Sequence, residues 1–247
     1  MQPSKSRRFG RFYEREAAQY HARRYGTRYG NLFRQLHHHV LRDLLVDVSP
    51  ASNVLEIACG TGHTTELLAS LGCYLIASDL TPQMMEQAQE RLRASGSFVR
   101  TNAFYLPFPD NYFDHVVSTR FLHLFPTNEQ RVLLVEMRRV LKPQGQLVVD
   151  FDNFASRWLL AIPYFFYNVI RYRRFAADSK YNLISPTEQM LQNIGFSNVG
   201  TKGLGGTHLI LPALLSPDLA FRLGLRHRFR PLRIFAEQFM VSGRKTT

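Results

Sequence analysis

Residues able to do chemistry gather in three places between positions 54 and 125. The first is Val54-Leu-Glu-Ile-Ala-Cys-Gly-Thr-Gly62, an apolar run interrupted by Glu56 and closed by a glycine-rich turn. Such a turn lets backbone N–H groups approach a ligand, because glycine adopts conformations that a Cβ blocks. It is not the dinucleotide fingerprint G-x-G-x-x-G, since Ala58 and Thr65 stand where glycines are needed, and no G-x-x-x-x-G-K-[ST] phosphate loop is present. The second is Asp79, which ends the apolar run Tyr74-Leu-Ile-Ala-Ser about twenty residues beyond the turn. A carboxylate at that spacing accepts hydrogen bonds from both hydroxyls of a ribose; the plain alternative is a solvated turn residue. The third is Arg120-Phe-Leu-His-Leu-Phe125, just past another apolar run. Its His123 is the candidate general base, because imidazole titrates near neutral pH. A histidine packed beneath the site is the alternative.

These residues need a scaffold, and the surrounding pattern supplies one. Val54–Ile57 reads as a strand, residues 63–70 as a helix closed at Gly72, and 74–79 as a second strand. Thr81-Pro82 then opens a helix through Met84, Met85, Ala88 and Leu92. Together these make a βαβ unit with its acid at the carboxyl end of the second strand. Residues 97–102 and 114–119 read as third and fourth strands, 128–141 as a helix, Lys142–Gly145 as a turn and 146–151 as a fifth strand. Ser185-Pro-Thr-Glu188 has the form of a capping box with proline at the first helical position, which predicts a helix from 186 to about 194, ended by Gly195. Strands are expected from Phe196 and over 237–244.

The 247 residues carry a formal charge of +12, unevenly placed. Residues 50–150 hold 8 Lys/Arg against 10 Asp/Glu, whereas 1–49 hold 10 against 4 and 151–247 hold 13 against 5. A basic periphery suits an anionic partner such as a lipid surface, a nucleic acid or an acidic substrate; it is equally a solubilising surface. Residues 9–30 interleave arginines with aromatics at near-helical spacing, a pattern that fits a membrane surface, a cover over a pocket or simple packing. An amphipathic helix follows over 31–48 and contains His37-His38-His39. Neighbouring helix positions point in different directions, so these three cannot ligate one metal and are read as surface or packing residues; no metal is expected. Cys59 and Cys73 make no disulfide scaffold, and a reducing cytoplasm is the expected setting. No signal peptide or span-length apolar run is visible.

Three ordered segments carry a family resemblance: Glu56-Ile-Ala-Cys-Gly-Thr-Gly62; Asn102-Ala-Phe-Tyr-Leu-Pro-Phe-Pro-Asp-Asn-Tyr-Phe-Asp114; and Val140-Leu-Lys-Pro-Gln-Gly-Gln-Leu147. They resemble the signatures of class I S-adenosylmethionine (SAM)-dependent methyltransferases, in particular the ubiquinone/menaquinone C-methyltransferase group, over residues 50–152. Asn102 departs from the usual Asp. The resemblance implies an α/β, Rossmann-like, doubly wound and mostly parallel seven-stranded sheet with helical and aromatic insertions. With the flanking pattern it gives a basic helical cap over 1–49 and a methyltransferase domain over 50–247, with insertions at about 154–182 and 203–236. It also implies SAM as cofactor. The residues 57–62 would contact its methionine end (Ala58, Cys59, Gly60, Thr61 and Gly62 among them), Asp79 the ribose, and Leu80, Asn102 and Ala103 the adenine. Met84 would pack beside the ribose and adenine, and Glu56 and Thr119 would complete the site.

Methyl transfer is a displacement at an already activated sulfonium carbon, so alignment matters more than a catalytic triad. A base is required only where the acceptor must lose a proton. The aromatic and apolar insertions point to a small lipophilic or aromatic acceptor, quinone-, isoprenoid- or natural-product-like, and their arginines to a peripheral position on an anionic membrane. Phospholipid amine methylation, an RNA-directed enzyme and a SAM-binding protein without turnover are the alternatives.

Overall fold

Near-continuous apolar runs such as Val54–Ile57 and Val116-Val117 suit strands buried on both faces, and they form the centre of a parallel sheet. The computed structural model describes residues 4–92, 97–156, 181–205, 216–226, 233 and 236–247. Two helices come first, α1 (Ser4–Tyr25) and α2 (Arg28–Leu44). The alternating core follows: β1 (Asn53–Ile57), α3 (His63–Ser70), β2 (Tyr74–Asp79), α4 (Pro82–Leu92), β3 (Ser97–Arg100), β4 (Phe113–Ser118), α5 (Thr127–Val140) and β5 (Leu141–Asn153). The last part holds β6 (Tyr181–Asn182), α6 (Ile184–Ile194), β7 (Phe196–Leu204), α7 (Pro217–Arg226) and β8 (Gln238–Lys245).

The sheet runs β3-β2-β1-β4-β5-β8-β7, with β6 paired to β5. The β1 to β5 neighbours are parallel, while β8 runs antiparallel to both β5 and β7. The expected fold class holds, with an eighth strand among the described residues. That strand pairs only Tyr181 and Asn182 with Asp152 and Asn153, too short to leave a period in the sequence. Strand order reverses between β1 and β4, and this switch point opens a crevice at the strands' carboxyl ends.

Side chains alternate across the sheet, and two cores follow. On one face Leu55, Phe113, Leu134, Met137 and Phe151 pack together. On the other, Val54, Val117 and Val148 meet Leu41 of α2 and Leu68 of α3. The amphipathic segment expected over 31–48 is helical from Arg28 to Leu44. Thr27 caps it, its Oγ1 accepting from the Gly30 N–H at 2.9 Å. Gly26 marks the break from α1, since a Cβ there would lie 2.4 Å from the Ala22 carbonyl oxygen.

Two local expectations are corrected. Residues 142–145 do not separate α5 from a later strand. They bulge within β5, because Phe113 pairs with Leu141 and His115 already with Gln146. Lys142 Nζ closes the bulge by donating to Asp114 Oδ1 at 2.8 Å. The Ser185–Glu188 capping box does not form: α6 starts at Ile184, and no side chain caps it. Glu188 instead accepts from Arg233 Nη1 at 2.9 Å and Thr201 Oγ1 at 2.6 Å, so tertiary partners outcompete the local cap. Gly195, at φ +100°, ends α6 as expected.

Of the two expected insertions, residues 157–180, 206–215 and most of 227–235 lie outside the described residues. Arg157, Arg171, Arg173 and Arg174 of the first insertion fall there, as do Arg228 and Arg230 of the second. The described piece, α7, packs Ala220 and Phe221 against Leu32 and Leu36 of α2. Among the described residues no helix is long and apolar enough to cross a membrane.

Candidate functional site

The crevice at the switch point is a cavity of about 1010 Å³, its open mouth included. Its floor begins at the turn after β1. Ala58, Gly60 and Gly62 all take left-handed backbone conformations, at φ +59°, +54° and +80°. Alternating left-handed residues tighten the turn, and it is pinned where Cys59 N–H donates to the Ser78 carbonyl at 3.0 Å and Gly62 N–H to the Cys59 carbonyl at 2.9 Å. Gly62 then serves as the residue before α3 and does not itself line the cavity.

Asp79 sits beside this turn. Its Oδ2 accepts from Gly60 N–H at 2.9 Å and its Oδ1 from Thr81 N–H at 2.8 Å. Burial pushes its carboxyl above the ordinary range, against the pull of the Thr81, Gly60 and Leu80 N–H groups and the Thr81 hydroxyl. Leu80 and Met84 extend this wall, and Asn102 and Ala103 close the end. Asn102 Oδ1 accepts from Phe104 N–H at 3.1 Å, which leaves its amide N–H groups available to a ligand. Thr119 lines the cavity and is tied to Thr64 of α3 through hydroxyls 2.7 Å apart. Glu56, Ala58, Cys59, Gly60, Thr61 and Asp79 join them on the lining.

The other wall is one the sequence did not assign to the site. Tyr13, Tyr20 and Tyr25 of α1 line the cavity. Tyr25 stacks on His63 with ring centres 4.4 Å apart, and His63 in turn on His38 at 4.8 Å. Burial raises the phenols of Tyr13 and Tyr25 and, with His37 and His38 alongside, pushes His63 well below its usual range. These groups are therefore neutral near pH 7. The aromatic spacing of residues 9–30 was the available signal for this wall.

Beyond Thr119 the lining turns apolar, through Phe104, Phe121, Leu124 and Phe125. Phe125 meets both other rings edge-on, at 5.4 and 5.0 Å. His123, the candidate general base, is not on this wall. It lies in a 3₁₀ turn over Leu122–Leu124, where side chains three apart eclipse. Phe121 and Leu124 therefore share the cavity side while His123 is buried between them, 6% exposed. Arg120 is the one charged group at this end of the lining, where sequence reading had placed only the histidine. Among the described residues no group of three His, Cys, Asp or Glu is placed to hold a metal ion.

The cavity thus joins a polar, nucleoside-shaped end to an aromatic end, with threonines between them. The methyltransferase-domain family matches residues 55–149. The chain is 40% identical over 188 residues to a demethylmenaquinone methyltransferase of Renibacterium salmoninarum, covering 67% of this chain and 76% of that one. It is 29% identical over 183 residues to the ubiquinone/menaquinone biosynthesis C-methyltransferase UbiE of Francisella tularensis subsp. novicida, covering 64% and 72%. Among solved structures, magnesium protoporphyrin IX methyltransferase from Synechocystis PCC 6803 with bound S-adenosylhomocysteine (SAH) superposes with a TM-score of 0.70 at 16% identity, over 97% of this chain and 99% of that one. A SAM-dependent methyltransferase from Archaeoglobus fulgidus gives 0.64 at 18% identity, over 92% and 99%. At those identities the structural likeness speaks for the fold.

Proposed function

The chain belongs to the class I SAM-dependent methyltransferases, and from that premise we propose that it methylates a small lipophilic or aromatic acceptor of quinone, isoprenoid or natural-product type. SAM is its cofactor, and when bound it supplies a methyl group already activated on a sulfonium sulfur. In this reading Asp79 takes the ribose hydroxyls, Asn102, Leu80 and Ala103 take the adenine, and the Glu56–Gly62 turn takes the methionine end. Thr119, fixed by Thr64, marks the passage to the acceptor.

The observation that carries the acceptor class is the aromatic wall of Phe104, Phe121 and Phe125 at the far end of the cofactor's cavity. A planar ring stacked there is held edge and face by apolar groups, which exclude water and fix its distance from the methyl group. The neutral Tyr25–His63 stack closes the opposite side. The Renibacterium relative's name makes demethylmenaquinol the first acceptor to try. Labelled methyl appearing in a demethylmenaquinol or a simpler naphthohydroquinone supports the reading. No SAM binding by calorimetry would sink it, and transfer to phosphatidylethanolamine or RNA alone would replace its acceptor.

A cytoplasmic enzyme resting on an anionic membrane belongs to the same proposal. In α7, Leu219 is half-exposed on the helix that carries Arg222 and Arg226, an arrangement suited to a lipid surface. Co-sedimentation with anionic vesicles that weakens as salt rises supports this, and none at low salt removes it.

A further inference from the structure

Arg120 is held more deliberately than a lining residue needs to be. Its backbone is left-handed, at φ +59°, a conformation that costs a non-glycine residue about 1–3 kcal/mol. The segment is kept there by Asp150, whose Oδ1 accepts from Arg120 N–H at 2.7 Å. Arg120 lines the cavity, and its guanidinium Cζ lies 6.0 Å from the centre of the Phe33 ring. Its side chain is only 18% exposed. A guanidinium presents five N–H donors, and a buried one is costly unless they are used. Among the described residues it makes a single side-chain bond, from Nη1 to Asp152 Oδ1, and that bond is long at 3.4 Å. Nε is buried without any acceptor. Asp152 is shared, since it also accepts from Gln238 Nε2.

Asp150 is fully buried and close to Asp152; desolvation first and that neighbour second push its carboxyl well above the ordinary carboxylate range. Arg24 of α1 lies near enough to Asp152 to interact with it. The Arg120 and Arg24 guanidinium groups thus lie beside Asp150 and Asp152, at the end of an otherwise aromatic cavity. His37, whose Nε2 lies 4.0 Å from Asp150 Oδ2, is kept neutral by burial and adds no charge.

We infer that Arg120 is a specificity-determining residue: it binds an anionic oxygen, a carboxylate or phenolate, on the aromatic acceptor. This rests on the methyltransferase reading of the same cavity and narrows its acceptor from greasy rings in general to rings bearing an acidic group. Its planar fork matches a carboxylate, and its placement past Thr119 lays the acceptor's ring along Phe121 and Phe125. The unused Nη donors and the strained backbone are then features of a binding residue.

The test uses the full chain saturated with SAH and three probes of one shape: 2-naphthoate, 2-naphthol and 2-naphthamide, titrated by calorimetry. Naphthoate is expected to bind about 10- to 100-fold more tightly than the uncharged amide, as a charge-assisted bond predicts. Naphthol binding as tightly as naphthoate near pH 9–10, where about half of it is ionised in the manner of a phenol, would assign the site to phenolates instead. In Arg120→Gly, where glycine accepts the left-handed backbone without strain, the preference for the anion should vanish while SAH affinity is retained. Guanidinium chloride at non-denaturing concentration, against matched sodium chloride, should restore it. Arg120→Lys, which keeps charge but loses the fork, should fall between. Equal binding of naphthoate and naphthamide by the native chain, binding of none of the three, or an undiminished anion preference in Arg120→Gly overturns the inference. A native chain that fails to bind SAH overturns the methyltransferase reading itself, and so is told apart.

Discussion

Replacing Asp79 by Asn keeps the side chain's shape and removes its charge, so it isolates what the carboxylate does. In the native chain both oxygens are engaged by backbone, from Gly60 N–H at 2.9 Å and Thr81 N–H at 2.8 Å. An amide turns one of those acceptors into a donor and sets it against an N–H. Leaving that N–H unpaired costs about 1–3 kcal/mol, while removing a desolvated charge returns part of it, so stability changes modestly. Ligand affinity has no such offset. Hydrogen bonds to a charged group contribute about 1.5–3 kcal/mol each, and the two ribose hydroxyls share one carboxylate. A total of about 3 kcal/mol predicts SAH binding about 150-fold weaker in Asp79→Asn. The pH dependence carries a second signature. Burial raises the Asp79 pKa in the folded chain, so its ionisation costs stability, and that loss develops as pH rises from the ordinary carboxylate range through the raised value. Hydroxyl donors favour the ionised form, so SAH affinity is full above the raised pKa and falls as pH drops through it. Calorimetry of SAH binding over an acid series, on both proteins, reads each effect. An affinity less than about tenfold weaker in the variant, or an acid-dependent loss that persists in it, would refute the ribose assignment.

Three other perturbations test the frame around the site. Gly60→Ala places a Cβ on a residue at φ +54°, with nothing within 4 Å of it, so strain and not collision is expected: about 1–2 kcal/mol less stable in urea unfolding, with weaker SAH binding. Arg139 donates to the Leu106 and Phe108 carbonyls at 3.0 and 2.9 Å and so anchors the Leu-Pro-Phe loop that ends the cofactor wall. Arg139→Ala should cost about 1–2 kcal/mol in the same unfolding assay, with the larger effect on SAH affinity; an unchanged denaturation midpoint would show the loop holds itself. His37 is fully buried and its pKa falls from 6.5 to about 3, through desolvation first and His38 second. The unfolded chain therefore takes up this proton first, and stability drops as pH falls from about 6.5 towards 3. Thermal unfolding of His37→Leu across that window should show a shallower decline than the native chain, with the remainder set by His63 and His38.

Much of the donor half of this protein was determined by sequence alone. Glu56 to Gly62, Asp79 and Asn102-Ala103 are local signals: a strand, a turn that demands left-handed residues, and acids or amides at strand ends. The parallel sheet brings strand ends together wherever βαβ units repeat, so spacing along the chain translates directly into a shared site. The aromatic end of the cavity was decided by tertiary structure. Tyr13, Tyr20 and Tyr25 reach the cavity only because α1 lies across it, and periodicity could not separate that from membrane contact or packing. His123 carried the expected chemistry, yet a 3₁₀ turn buries it and sets Phe121 and Leu124 on the wall. Ser185 and Glu188 matched a local cap, yet Arg233 and Thr201, distant in sequence, claim the glutamate. Arg120 had no motif to announce it. Its role depends on Asp150 and Asp152 arriving from the next strand, and on how few partners the folded chain then leaves its guanidinium.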